Sequence, residues 1–106
     1  MQVSSPYAAE SVTRDQVDVR PGALVIQFGT NWCGWCRATD PDIERVFSTR
    51  PEIERLKVED GSGRPLGRSF RVKLWPTLVF LKDGHEVARI TRPQSAEVIA
   101  EALARV

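Results

Sequence analysis

Phe28-Gly29-Thr30-Asn31-Trp32-Cys33-Gly34-Trp35-Cys36 contains both cysteines of a 106-residue chain, and its reading decides the fold. It follows the run Ala23-Leu24-Val25-Ile26-Gln27, in which Gln27 is the one polar side chain. Apolar continuity of this kind suits a strand buried on both faces. Gly29 to Trp32 then form a loop, and the helix begins at or just after Cys33. Residues i and i+3 of a helical turn bring their Cα atoms within the roughly 4.4–6.8 Å that a disulfide needs. At a helix N-terminus the unpaired N–H groups and the helix dipole favour a thiolate over a thiol at Cys33. A stabilised, exposed thiolate beside a second thiol is the apparatus of disulfide exchange.

Two other readings of the pair stay open. Zinc or iron–sulfur sites usually want four Cys or His ligands, and the chain has two cysteines and one histidine, the distant His85. An inert bridge is the other, but a four-residue loop removes little entropy from the unfolded chain. His85 follows a hairpin glycine and reads as a surface residue.

Outward from this segment, composition sets limits. The chain reads as one domain, residues 1–106, large enough to bury a core without a metal or structural disulfides. Its net charge of +1 and scattered arginines exclude a dedicated nucleic-acid or anionic-membrane binder, which would carry a basic stripe. No stretch approaches the ~20 apolar residues of a membrane span. Met1 to Pro6 has neither the basic region nor the apolar run of a signal peptide. The expectation is a cytoplasmic protein, periplasmic if a leader has been removed, with a CxxC pair that is catalytic or metal-binding rather than a stable bridge.

Residues 1–20 lack a clean period, and a short strand and a short helix are both open there. After the break at Pro21-Gly22 comes the strand from Ala23 to Phe28. The helix that follows meets Pro41, which predicts either a kink or a fresh start with Thr39-Asp40-Pro41-Asp42 as a capping box. Ile43, Val46 and Phe47, at i, i+3 and i+4, form its buried stripe, ending near Thr49. Ile53, Leu56 and Val58 mark a second strand, and Asp60 to Pro65 a loop. A short helix from about Pro65 to Phe70 and an extended link from Val72 to Trp75 follow. Leu78 to Leu81 is a strand, Lys82-Asp83-Gly84 a hairpin turn, and Glu86 to Ile90 its antiparallel return. A last helix, about Ser95 to Arg105, turns Val98, Ile99, Ala102, Leu103 and Val106 to the core. This order predicts an α/β fold, a central mixed sheet with helices on both faces.

These residues resemble the thioredoxin family. Phe28 with Trp32-Cys33-Gly34-Trp35-Cys36 is similar to its active-site segment, Pro41 to the proline of its active-site helix, Trp75-Pro76-Thr77 to its cis-proline loop, and Lys82-Asp83-Gly84 to its terminal hairpin turn. The resemblance covers nearly the whole chain. It implies the thioredoxin fold and dithiol–disulfide exchange with protein substrates. No cofactor is implied beyond the redox-active Cys33–Cys36 disulfide, and no metal. The implied state is a monomer served by a thioredoxin-reductase-like electron donor. Carried over by position, Cys33 is the nucleophile and Cys36 the resolving thiol, one turn inside and less exposed. Pro76 in cis places the backbone of Trp75 against an extended substrate strand. Trp32, Gly34, Trp35 and Trp75 then make an apolar rim, with Trp32 also read as packing and Trp75 as either contact surface or core.

The chain departs from the family at four places. Gln27 stands where thioredoxins carry a buried, proton-transferring Asp, and an amide does not titrate near neutral pH. Water or another group such as Glu59 is then needed for the resolving step. Gly29 replaces a bulky aromatic and leaves room beneath the site. Trp35 replaces the proline between the cysteines, and Thr91-Arg92-Pro93 lacks the usual glycine. Gly34-Trp35 offers no charge to a thiolate, which argues against a strong oxidant and for a reductant. An oxidase or isomerase, and a binding or chaperone module of weak turnover motivated by Gln27, are the alternatives.

Overall fold

The computed structural model describes residues 6–106. Its elements run α1 (Arg14–Asp18), β1 (Ala23–Gly29), α2 (Gly34–Phe47), β2 (Glu54–Glu59), α3 (Pro65–Ser69), β3 (Thr77–Lys82), β4 (His85–Thr91) and α4 (Ala96–Leu103). One four-stranded sheet has the order β2-β1-β3-β4. β1 pairs parallel with β2 and antiparallel with β3, and β3 pairs antiparallel with β4 across the hairpin. The mixed sheet is the one expected.

Alternation along the central strand builds two cores. Leu24, Ile26 and Phe28 point to one face, where they join Val58, Leu66, Phe70 and Val79 beneath α1 and α3. Val25 points to the other, with Ile43 and Phe47 of α2, Phe80 of β3, and Ile99 and Leu103 of α4. Each fully buried side chain of this size contributes roughly 1.5–3 kcal/mol through its lost contact with water. The same alternation puts Gln27 and Gly29 on the α2 face at the C-terminal end of the strand, beneath the cysteine loop.

Among the first twenty residues, Thr13 caps α1 and completes a reciprocal capping box with Gln16. Upstream of it, Ala8 forms a single parallel bridge to Val58. Pro41 lies inside a continuous α2, so there is no fresh start at Thr39. Thr39 Oγ1 instead donates back to the Trp35 carbonyl at 2.9 Å. Val98 corrects the reading of the last helix, being 41% exposed. At about 100° per residue it falls at the edge of the stripe formed by Ile99, Ala102 and Leu103, and solvent takes that edge. Among the described residues no helix is long and apolar enough to cross a membrane.

Candidate active site

Cys33 is the N-cap of α2: its backbone is extended and its sulfur accepts the N–H of Cys36 at 3.2 Å. A thiol thus fills the position usually taken by a serine or aspartate oxygen, and negative charge on it meets an unpaired donor and the positive end of the helix. Both sulfurs are free thiols. Cys33 departs from the exposed thiol that its position implied, with only 8% of its surface open, because Tyr7, Cys36 and Trp75 pack around it.

Cys36 is deeper, at 2% exposure. Burial, first, and the hydrogen bond it shares with the Cys33 sulfur, second, push its thiol up to about 12. Two donors oppose that shift, the backbone N–H of Thr30 and the hydroxyl of Tyr7. One turn of helix therefore separates a capping sulfur from a deeper one.

Beneath them Gln27 is fully buried. Its Nε2 donates to Tyr7 Oη at 2.6 Å, and its Oε1 accepts from Arg55 Nη1 at 3.0 Å. Glu59, the acid suggested in place of the missing one, is occupied by an ion pair with Arg64. Tyr7, which sequence reasoning missed, packs with both cysteines in one buried cluster. The room expected at Gly29 is filled: a Cβ there would lie 2.7 Å from Cys36 Sγ and 2.8 Å from Tyr7 Cζ.

Around the mouth the tryptophans divide. Trp32 and Trp35 are 75% and 55% exposed, and Leu74, unremarked in the sequence, is exposed beside Trp75. Trp75 is half-buried, meets Trp32 edge-to-face at 5.6 Å, and donates its indole N–H to the buried carboxylate of Asp60 at 2.9 Å. It is packed on one side and open to solvent on the other. The Trp75–Pro76 bond is cis. Arg92 sits at φ 50° where the family glycine is absent. Its guanidinium lies 4.8 Å over the Trp35 ring and its Nε donates to the Trp75 carbonyl at 3.0 Å. Gly34 opens the helix with open space where a Cβ would stand. His85 lies exposed at the far end of the hairpin. Among the described residues no three His, Cys, Asp or Glu side chains gather where they would hold a metal.

Residues 8–105 match the family model for thioredoxin. The chain belongs to the thioredoxin family. It is 54% identical to thioredoxin 2 of Pseudomonas aeruginosa PAO1, solved in its reduced form, with 97% of this chain and 95% of that one covered at a TM-score of 0.85. A thioredoxin of Chlamydia trachomatis serovar D is 38% identical, covering 67% of this chain and 70% of the relative. A thioredoxin H-type of Fagopyrum esculentum is 30% identical over 72% of this chain, which spans 66% of that relative's length. Within the thioredoxin fold, the cysteines, the cis-proline loop and the tryptophan rim occupy one end of the sheet. Tyr7, Arg55, Asp60 and Arg92 support them from four separate segments.

Proposed function

We propose that this protein is a thiol–disulfide oxidoreductase that reduces disulfides of protein substrates. The observation that carries the reading is the asymmetry of the two sulfurs: Cys33 caps the helix and takes an N–H donor, while Cys36 lies deeper and holds its proton. Family membership supports the same chemistry.

Cys33 attacks a substrate sulfur, forming a Cys33–substrate bond and releasing the other substrate sulfur as a thiol. Cys36 then attacks Cys33, forming the Cys33–Cys36 disulfide and expelling the second substrate thiol. Two electrons pass from the dithiol to the substrate, and the pair itself serves where a cofactor would otherwise be needed. Trp32, Gly34, Trp35 and Trp75 bind the substrate, with the cis-Pro76 loop presenting the Trp75 backbone to an extended strand. A thioredoxin-reductase-like donor restores the dithiol. Such a reductant works in a reducing compartment, here the cytoplasm, acting as a monomer in electron transport and redox homeostasis.

Insulin reduction driven by dithiothreitol tests the reading: wild type accelerates precipitation and Cys33→Ser does not. Equal activity of Cys33→Ser and wild type overturns it. Direction is read from the potential of the Cys33–Cys36 couple. A value near −270 mV fits a reductant, and one above about −200 mV fits an oxidase or isomerase.

A further inference from the structure

We propose that the Tyr7 hydroxyl steadies the Cys36 thiolate while the mixed disulfide is resolved, and that Arg55 and Gln27 aim it. The proposal rests on the dithiol-exchange reading above and supplies the residue that acts where the chain lacks a buried acid.

The aim follows from donor and acceptor counting. Guanidinium nitrogens only donate, so the Gln27 oxygen must face Arg55 Nη1, at 3.0 Å. That fixes the amide, and its Nε2 must face the phenol, at 2.6 Å. The phenol oxygen is therefore an acceptor towards Gln27, and its own proton is left for the Cys36 sulfur, which shares one buried cluster with the Tyr7 ring and lies with it around the Cβ position of Gly29, at 2.7 Å for Cys36 Sγ and 2.8 Å for Tyr7 Cζ. Donation into the oxygen polarises the O–H and strengthens it as a donor. Arg55 is itself held by Glu44 at 2.6 Å and stacks over the Phe47 ring at 4.8 Å.

Position is fixed as tightly as orientation. Asn31, two residues before Cys33, accepts the Tyr7 N–H at 2.8 Å and donates to its carbonyl at 3.1 Å, so the active-site loop clamps the tyrosine. The ring enters only because residue 29 has no Cβ, whose place lies 2.8 Å from Tyr7 Cζ.

In the resolving step the Cys36 S–H bond breaks and the Cys36–Cys33 bond forms. The Cys33–substrate bond breaks, and the departing substrate sulfur takes up the proton. Tyr7 donates to the transient Cys36 thiolate and keeps its own proton, since burial holds its ionisation above the ordinary phenol value. Gln27 cannot accept a proton. The other charged groups near the ring are Lys57, whose Nζ lies 4.7 Å from the ring centroid, and Asp40, which Lys57 pairs at 3.3 Å and which reaches Tyr7 through its field.

The test is stopped-flow reaction of the reduced protein with one equivalent of an aromatic disulfide that releases a coloured thiolate. Attack by Cys33 releases the first equivalent of colour and resolution by Cys36 the second. Tyr7→Phe is expected to leave the first phase within about twofold and to slow the second by about tenfold or more at neutral pH, as loss of a hydrogen bond to a charged group requires. The second phase should still accelerate as pH rises. A second phase within twofold of wild type overturns the proposal. If Tyr7→Phe loses both phases, Gln27→Met takes its place: a slowed second phase supports the aiming role, and an unchanged one overturns it. A wild type with no second phase at all overturns the dithiol-exchange reading itself, an outcome distinct from any failure of Tyr7.

Discussion

The rim and the floor of this site are built on opposite terms. At the rim, Trp32, Trp35 and Leu74 stand in solvent, Trp32 against the half-buried Trp75 and Trp35 beneath the Arg92 guanidinium. At the floor, Gln27 and Tyr7 are buried side chains in a chain of hydrogen bonds that runs from Arg55 towards the Cys36 sulfur. Exposed aromatics can move to fit different substrates, whereas a buried polar network is worth its desolvation only if each member is satisfied. On the function proposed here, substrate variety would belong to the rim and the resolving chemistry to the floor, with Cys33 between them.

That division can be broken in graded ways. The largest effect is expected from Cys33→Ser, which removes the atom both regions serve. Turnover in insulin reduction should fall by on the order of 10³-fold or more, as when other catalytic nucleophiles are lost. Next comes Gly29→Ala, whose methyl would meet Cys36 Sγ at 2.7 Å and the Tyr7 ring at 2.8 Å. Overpacking of this kind should lower stability by about 1–3 kcal/mol, seen as a lower urea midpoint at unchanged slope. At the rim, Asp60→Ala takes the acceptor from the Trp75 indole and from Arg68 Nη2, which bond it at 2.9 and 2.8 Å. A loss of about 1–2 kcal/mol is expected, together with a raised KM for protein disulfides as Trp75 loosens.

Over the interval from pH 8 to pH 10 the effect of titration is smaller, at most about 1.4 kcal/mol. Cys36 is raised from its ordinary 9.0 to about 12 in the fold, so above pH 9 the unfolded chain gives up a proton that the folded chain keeps. The native state then binds more protons and stability falls as pH rises from 9 to 12, by at most about 1.4 kcal/mol per pH unit. Urea midpoints of the reduced protein at pH 8 and pH 10 should differ in that sense, and Cys36→Ala should remove this contribution. The smallest effect is expected from His85→Ala. Far from both regions, it should change stability by no more than about 0.5 kcal/mol and leave turnover unaltered.

Much of the fold and the reacting pair was legible because it is written locally. An apolar run, a CxxC and a Trp-Pro-Thr each announce themselves within a few residues, and the two-faced burial of Val25 and Ile26 follows from the run alone. Tyr7 was not legible. It lies in a segment without periodicity and reaches Cys36 through a single bridge at Ala8 and the Asn31 clamp. The signal that could have found it was the pair Gln27 and Gly29, a buried amide needing partners beside a gap needing a ring. Asp60 was hidden for a related reason. Its loop composition says surface, yet the chain carries the carboxylate inward against Gly67, where a Cβ would overlap Asp60 Oδ1 at 1.9 Å. Val98 shows the converse limit, since a helical stripe has edges that periodicity alone does not draw.

The central claim is the division of labour between the two sulfurs, and trapping tests it most directly. Cys36→Ser, mixed with a disulfide-bonded protein and analysed by mass spectrometry after proteolysis, should accumulate a stable mixed disulfide at Cys33. Cys33→Ser under the same conditions should leave Cys36 unmodified. Comparable adducts at Cys36 in Cys33→Ser would contradict the account.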